Sequence, residues 1–363
     1  MCYNKKDAQM TQGYAILSML ILHLFCKIGN DVDYTPLLYV KAVPLIRGAA
    51  KVPLAYYFGY FSNICVSTYS LCAGYARELS HRKGNPSYSS NLKKILQLAG
   101  KAWIIIILFS LVDFFFGKVH DVPMDGLSMI KYILFIDRFN GAWWYLQTYF
   151  ILLLIPYNVL MYPINHLKQK SAYILCFTII FLFFVYTKIV GSNWVPQSSV
   201  MSFFYTQIYK FIDVLPEYWI GALFCKADAV SQVDKKLRQS RFDRHRSAFL
   251  LSAFLITFFV YNLIHISCFA IIVAGITFFC FNLWEKSTFV QSIFMFLGKH
   301  STNIWLTHMF FYLNMFPGLA QKAKYPILML LALLGYSLLA SFIIDFLETI
   351  SKTIIKKTHQ RTA

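Results

Sequence analysis

The chain has 363 residues, 58% of them hydrophobic and only 14% charged, with a mean hydropathy of +0.54. A soluble domain carries about a quarter charged residues, so this composition excludes an ordinary water-soluble fold and predicts an integral membrane protein. The formal net charge of +18 is no nucleic-acid footprint, because the basic residues lie in short loops and form no stripe on one face.

A spanning helix needs about 20 mostly apolar residues. In chain order the apolar runs fall at residues 11–29, 54–76, 98–117, 142–162, 171–190, 203–225, 247–264, 266–284, 292–313 and 325–348. The predicted fold is all-α: a polytopic helical bundle of about ten transmembrane helices, forming one membrane-embedded domain over residues 1–363. Lys5 and Lys6 precede the first run and no small-residue cleavage site follows it, which reads as an uncleaved span. With the N-terminus in the cytoplasm, the loops rich in Lys and Arg ("RELSHRKGNPSYSSNLKK", "HLKQK", "KADAVSQVDKKLRQSRFDRHR") fall on the cytoplasmic side, as the positive-inside rule requires. An even number of spans returns the C-terminus to the same side. Within 247–284 the pattern predicts two short helices that turn near Asn262 and His265.

The first run, "TQGYAILSMLILHLFCKIG", contains His23. An ionisable side chain in hydrocarbon faces the bundle interior or a cavity, and it marks a candidate functional site. Gln12 lies eleven residues earlier, roughly 16 Å along a helix axis, so His23 is expected at mid-membrane or in the outer half. After the second run come Arg77, Arg82, Lys83, Lys93 and Lys94. They could hold an anionic cytoplasmic ligand, although topology alone would produce the same loop. Asp113, in "LFSLVDFFFG", is an intramembrane acid able to orient a histidine.

The sixth run places Lys210, Asp213 and Glu217 on one helical face, at spacings of three and four. They form either an internal ion pair beside a protonated carboxyl or a polar contact for a substrate hydroxyl. The ninth run places Ser301, Trp305 and His308 on one stripe, which is either a self-satisfied packing stripe or a site with an imidazole beside an indole donor. The eight cysteines show no CxxC pair and no metal-ligand spacing, so neither a disulfide framework nor a metal is expected. Phosphate loops, a nucleophile elbow and HExxH are absent.

Four stretches in order carry a family likeness: "QGYAILSMLILHLF", "VSTYSLCAGYARE", "AWWYLQTYFILLLIP" and "LGKHSTNIWLTHMFF", with a looser fifth in "PEYWIGALFCK". The chain resembles acyltransferase family 3, the bacterial polytopic membrane O-acyltransferases of surface polysaccharides. The family's first helix ends in a histidine preceded eleven residues earlier by a basic residue. Here His23 matches and Gln12 replaces the base. Cys72-Ala73-Gly74 departs from the family's usual Ser-Gly segment, and Arg77 matches its second-helix arginine in kind.

The resemblance implies transfer of an acyl group, most simply acetyl from acetyl-CoA, to a hydroxyl of a cell-surface or exported glycan, at a bacterial inner membrane. It implies His23 and His308 as catalytic residues, and Arg77, Arg82, Lys83 and Gln12 as the donor site. Ser301, Trp305, Trp144, Asp213 and Glu217 would then contact the acceptor or stabilise charge. Two other readings fit the same residues: a transporter or glycan-export component without covalent chemistry, and a different membrane acyltransferase that works through His308 alone.

Overall fold

The computed structural model describes residues 3–44, 46, 50–84, 88–116, 125–190, 199–316 and 318–362. Residues 85–87 of the basic loop, 117 at the expected end of the third span, and the terminal residue 363 lie outside them. Of the described residues 82% are helical, which makes the fold all-α. A single two-stranded antiparallel ribbon, β1 (Tyr39–Lys41) with β2 (Lys51–Pro53), is its only sheet among the described residues.

The helices, in chain order, are α1 (Lys5–Phe25), α2 (Leu54–Phe61), α3 (Cys65–Arg82), α4 (Tyr88–Phe116), α5 (Gly126–Ile133) and α6 (Trp144–Leu154). Two short turns follow, α7 (Tyr157–Leu160) and α8 (Tyr162–His166). After them come α9 (Gln169–Ile189), α10 (Ser199–Lys226), α11 (Ala229–Arg238), α12 (Arg246–Ile264), α13 (Ala270–Leu283), α14 (Thr288–Met309) and α15 (Pro326–Thr362).

Among the described residues, α4, α9, α12 and α15 are long and apolar enough to cross a membrane, and all four leave most of their apolar surface outside the protein. That is how a lipid-facing helix looks. The remaining long helices, α1, α3, α10 and α14, form the centre and are diluted by polar residues. They carry Gln12 and His23, Arg77 and Glu78, Asp213 and Glu217, and Ser301 and His308. Polar side chains that need partners thus face one another in the middle, and plain hydrocarbon faces outward.

Several expected runs are not single helices. The run 54–76 breaks into α2, a 3-10 turn at Ser62–Ile64, and α3. The run 142–162 stops at Leu154, because Pro156 cannot continue a helix. The run 292–313 leaves α-geometry after Met309 and continues as a π turn, Phe310–Asn314. The expected turn inside 247–284 is present, with His265 closing α12 in the left-handed region at φ 52°.

Two helix pairs set the core, and both run parallel. A Cβ at Gly298 on α14 would lie 1.9 Å from the Gln9 carbonyl oxygen of α1, and one at Gly13 would lie 2.1 Å from Phe294 O. Reciprocally, a Cβ at Gly74 on α3 would meet Tyr218 O of α10 at 1.8 Å, and one at Gly221 would meet Leu71 O at 2.0 Å. Without side chains at these four points the backbones pack directly on each other, the small-residue contact that membrane helices use in place of a hydrophobic driving force.

One end of the bundle gathers charge. Arg82 bridges α3 to Asp228 and to the Lys226 carbonyl at the end of α10. Arg246 joins Asp234 to the Leu283 carbonyl at the end of α13. The opposite end is aromatic: Tyr56 Oη meets His265 Nε2 at 2.9 Å, and the His265 ring stacks on Tyr60 with centroids 3.7 Å apart.

Candidate active site

His23 is on the last turn of α1, and His308 is at the end of α14. Because the helices are parallel and touch at Gly13 and Gly298, ten residues onward in each brings the two imidazoles together. Their ring centroids are 5.0 Å apart at an interplanar angle of 40°. His308 is fully buried. Its Nδ1 lies 2.8 Å from Trp305 O and 3.3 Å from Ile304 O. Carbonyls only accept, so Nδ1 carries the proton, and in the neutral ring Nε2 is the acceptor. That nitrogen is buried with no hydrogen-bond partner among the described residues.

His23 is half-buried and lines a cavity of about 330 Å³. Gln12, Tyr69, Trp144, Ser301, Thr302 and Trp305 share that wall. The cavity therefore follows α1 from Gln12 to His23 and passes Cys72 and Ala76 of α3 on its way toward the charged end. Five residues singled out in the sequence (Gln12, His23, Trp144, Ser301 and Trp305) thus stand around one space, with His308 directly behind His23.

A sequence model for the acyltransferase 3 family, described as an acyltransferase domain, matches residues 10–346. The chain belongs to that family. No curated protein and no solved structure gave a match. Its apolar helices and its family together make this an integral membrane acyltransferase.

The acyltransferase's other expected site residues divide into two groups. Ser301 Oγ donates to Gly298 O at 2.9 Å, and Trp305 Nε1 donates to Ala142 O at 3.1 Å. The indole expected as a donor is therefore committed to backbone, and Trp305 serves the cavity as an apolar wall. Asp213 and Glu217 line a neighbouring cavity, where Ser67 Oγ donates to Glu217 Oε1 at 2.5 Å. Lys210 points its ammonium over the Trp144 ring at 4.6 Å and the Tyr209 ring at 5.2 Å. Asp113 is near the end of α4 and does not line the His23 cavity.

Of the expected donor-site cations, Arg77 is buried, and its Nη2 donates to Ile155 O at 3.4 Å. Its Nε and Nη1 have no hydrogen-bond partner among the described residues. An unsatisfied buried guanidinium is costly, which fits a group that meets an anionic ligand. Arg82, by contrast, is already engaged by Asp228, Glu78 and the Lys226 carbonyl, and Lys83 is the exposed C-cap of α3. Tyr69, Thr302, Val66 and Ser67 join the site without having stood out in the sequence. Ser67 and Tyr69 fall inside the stretch "VSTYSLCAGYARE", where hydroxyls in an apolar run were the available signal.

Proposed function

We propose that this acyltransferase moves an acyl group, in the simplest case acetyl, from acyl-CoA in the cytoplasm to a hydroxyl of a cell-surface or exported glycan. The reading takes residues 1–363 as one domain of about ten spans in a bacterial inner membrane, with both termini cytoplasmic. The observation that carries it is the His23–His308 ring pair at the edge of a cavity whose walls are otherwise largely apolar.

The chemistry follows from which nitrogens are free. The acceptor hydroxyl gives its proton to His23 while its oxygen attacks the thioester carbonyl. The tetrahedral oxyanion collapses, the C–S bond breaks, and His23 returns the proton to the departing sulfur. Ester and free CoA thiol are the products, with no net proton released. His308 Nε2, a buried acceptor with no hydrogen-bond partner among the described residues and with its ring 5.0 Å from that of His23, is available to take up the His23 N–H during the reaction, which leaves the other His23 nitrogen for the acceptor hydroxyl. Trp305 N–H, Ser301 Oγ–H and the Tyr69 hydroxyl (to Gln12 O at 3.4 Å) all donate to backbone carbonyls, so the oxyanion would draw on the Thr302 hydroxyl, or on Tyr69 once it leaves that carbonyl.

About 330 Å³ admits the acyl-thioester end of the donor and leaves its charged nucleotide at the end of the bundle where Arg77 stands. The test is mass spectrometry of surface glycans in cells carrying the wild-type chain or His23→Ala at equal membrane levels. Loss of O-acylation in the variant is expected, and full retention overturns the reading.

A further inference from the structure

The cavity beside the first one has a volume of about 430 Å³ and lies between α3, α9, α10 and the start of α13. Its polar wall includes Asn63, Ser67, Asp213 and Glu217, and its flat walls are aromatic, among them Phe183, Phe184 and Tyr209. No Lys, Arg or His is among its described lining residues. It reaches Thr187 near the end of α9 and Ser267 and Cys268 in the turn before α13, so it leads toward the aromatic end of the bundle. The His23 cavity leads toward the charged end. Val66 and Trp144 line both.

We propose that this second cavity is the acceptor chamber, that it takes a hydroxyl-rich sugar without a carboxylate or phosphate, and that Val66 and Trp144 frame the passage by which one acceptor hydroxyl reaches His23. The proposal rests on the acyl-transfer reading and adds to it a place, a charge class and two specificity-determining residues. Pyranose rings present C–H faces to aromatic side chains and hydroxyls to carboxyl groups, and the chamber offers both. Ser67 fixes Glu217 in one orientation, and the break between α2 and α3 puts Asn63 and Ser67 on the same rim. An anionic sugar would find two carboxyl groups in the lining, while the neighbouring ammonium groups of Lys210 and Lys188 are already drawn to the lining rings Trp144, Tyr209 and Phe184, a mismatch that selects against it. The Lys210 ammonium over the Trp144 indole anchors the ring that separates the chambers by a cation–π contact.

The test uses the full chain in nanodiscs, with release of CoA thiol from acetyl-CoA measured without acceptor, and glycan O-acetylation by the same variants measured in cells by mass spectrometry. Val66→Phe narrows the passage and is expected to lower the ratio of glycan transfer to acetyl-CoA hydrolysis at least tenfold. An unchanged ratio overturns the proposal. If Val66→Phe loses both reactions, Glu217→Gln decides. A fivefold or greater rise in KM for glycan with KM for acetyl-CoA within twofold supports the chamber, whereas equal changes in both, or in neither, overturn it. The mass spectra also identify the acylated residue. A neutral sugar is expected, and acylation confined to a uronic acid or a phosphorylated sugar overturns the charge class. A wild-type chain that neither releases CoA thiol nor acylates glycan refutes the acyl-transfer reading itself.

Discussion

Gly13 of α1 and Gly298 of α14 each press against the other helix's backbone, and each stands ten residues before a histidine of the ring pair. The geometry of the ring pair is therefore set about 15 Å away from the imidazoles, at a contact that tolerates no side chain. Gly298→Ala puts a methyl 1.9 Å from Gln9 O and forces the helices apart. Overpacking of this kind costs about 1–3 kcal/mol, and the displaced His23 is expected to lose activity further than stability. Gly100→Ala on α4, where an added Cβ meets nothing within 4 Å, is the control. Thermal unfolding in detergent together with CoA-thiol release should separate the two, with Gly100→Ala at wild-type levels or slightly more stable.

The ring pair assigns unequal roles to its members. His23→Ala removes the group facing the cavity and is expected to lower kcat by about 10²–10⁴-fold, the usual range for general base catalysis. His308→Gln keeps a polar group behind His23 and is expected to retain more activity than His23→Ala. If kcat falls more for His308→Gln than for His23→Ala, the base is His308, and the reading in which a single late histidine does the chemistry takes over.

Much of this site is legible in the amino-acid sequence, for a physical reason. Hydrocarbon makes an unpartnered imidazole or carboxyl expensive, so His23, His308, Asp213 and Glu217 stand out against apolar runs. The helical character and the turn at His265 follow from periodicity and length. The pairings are what the sequence hides. In the run 54–76 only the polar pair Ser62-Asn63 marks the break at Ser62–Ile64, a weak signal in a stretch that contains no proline. Trp305 looks like a free donor in the sequence, and only the approach of the Ala142 carbonyl shows that it is not. Arg82 and Arg77 look alike in a basic loop, but one clamps α3 to α10 and the other keeps two guanidinium nitrogens free of protein hydrogen bonds among the described residues.

That difference between the arginines is measurable. Arg77→Lys retains charge but loses the planar fork that meets phosphate in a bidentate way. It is expected to raise KM for acetyl-CoA at least fivefold while kcat changes less, and Arg77→Ala is expected to raise it further. Arg82→Ala, whose loss loosens a helix contact, should lower the unfolding temperature with KM for acetyl-CoA near the wild-type value. Steady-state kinetics on the three variants in one lipid preparation tests both statements, and a KM effect larger at Arg82 than at Arg77 exchanges their roles.

Asp234 on α11 supports the charged end of the bundle from outside the spans. Its carboxyl is buried and receives hydrogen bonds from Arg246 and from Arg238 Nε at 3.1 Å, and Arg246 also donates to Leu283 O at 3.0 Å. Burial opposes its ionisation, but hydrogen bonds from neighbouring cationic groups, Arg246 and Arg238 among them, prevail and hold it well below the ordinary carboxylate value. A carboxyl whose pKa is depressed on folding contributes stability that is complete above its unfolded value, about 4, and that fades as pH falls toward its folded value. Asp234→Ala leaves the buried Arg246 without its carboxylate, a loss of about 3–5 kcal/mol for a broken buried pair. The unfolding temperatures of wild type and variant are therefore expected to differ by a constant amount between about pH 5 and 8 and to converge below about pH 4. A gap that widens on acidification would mean that Asp234 stabilises the fold in its protonated form.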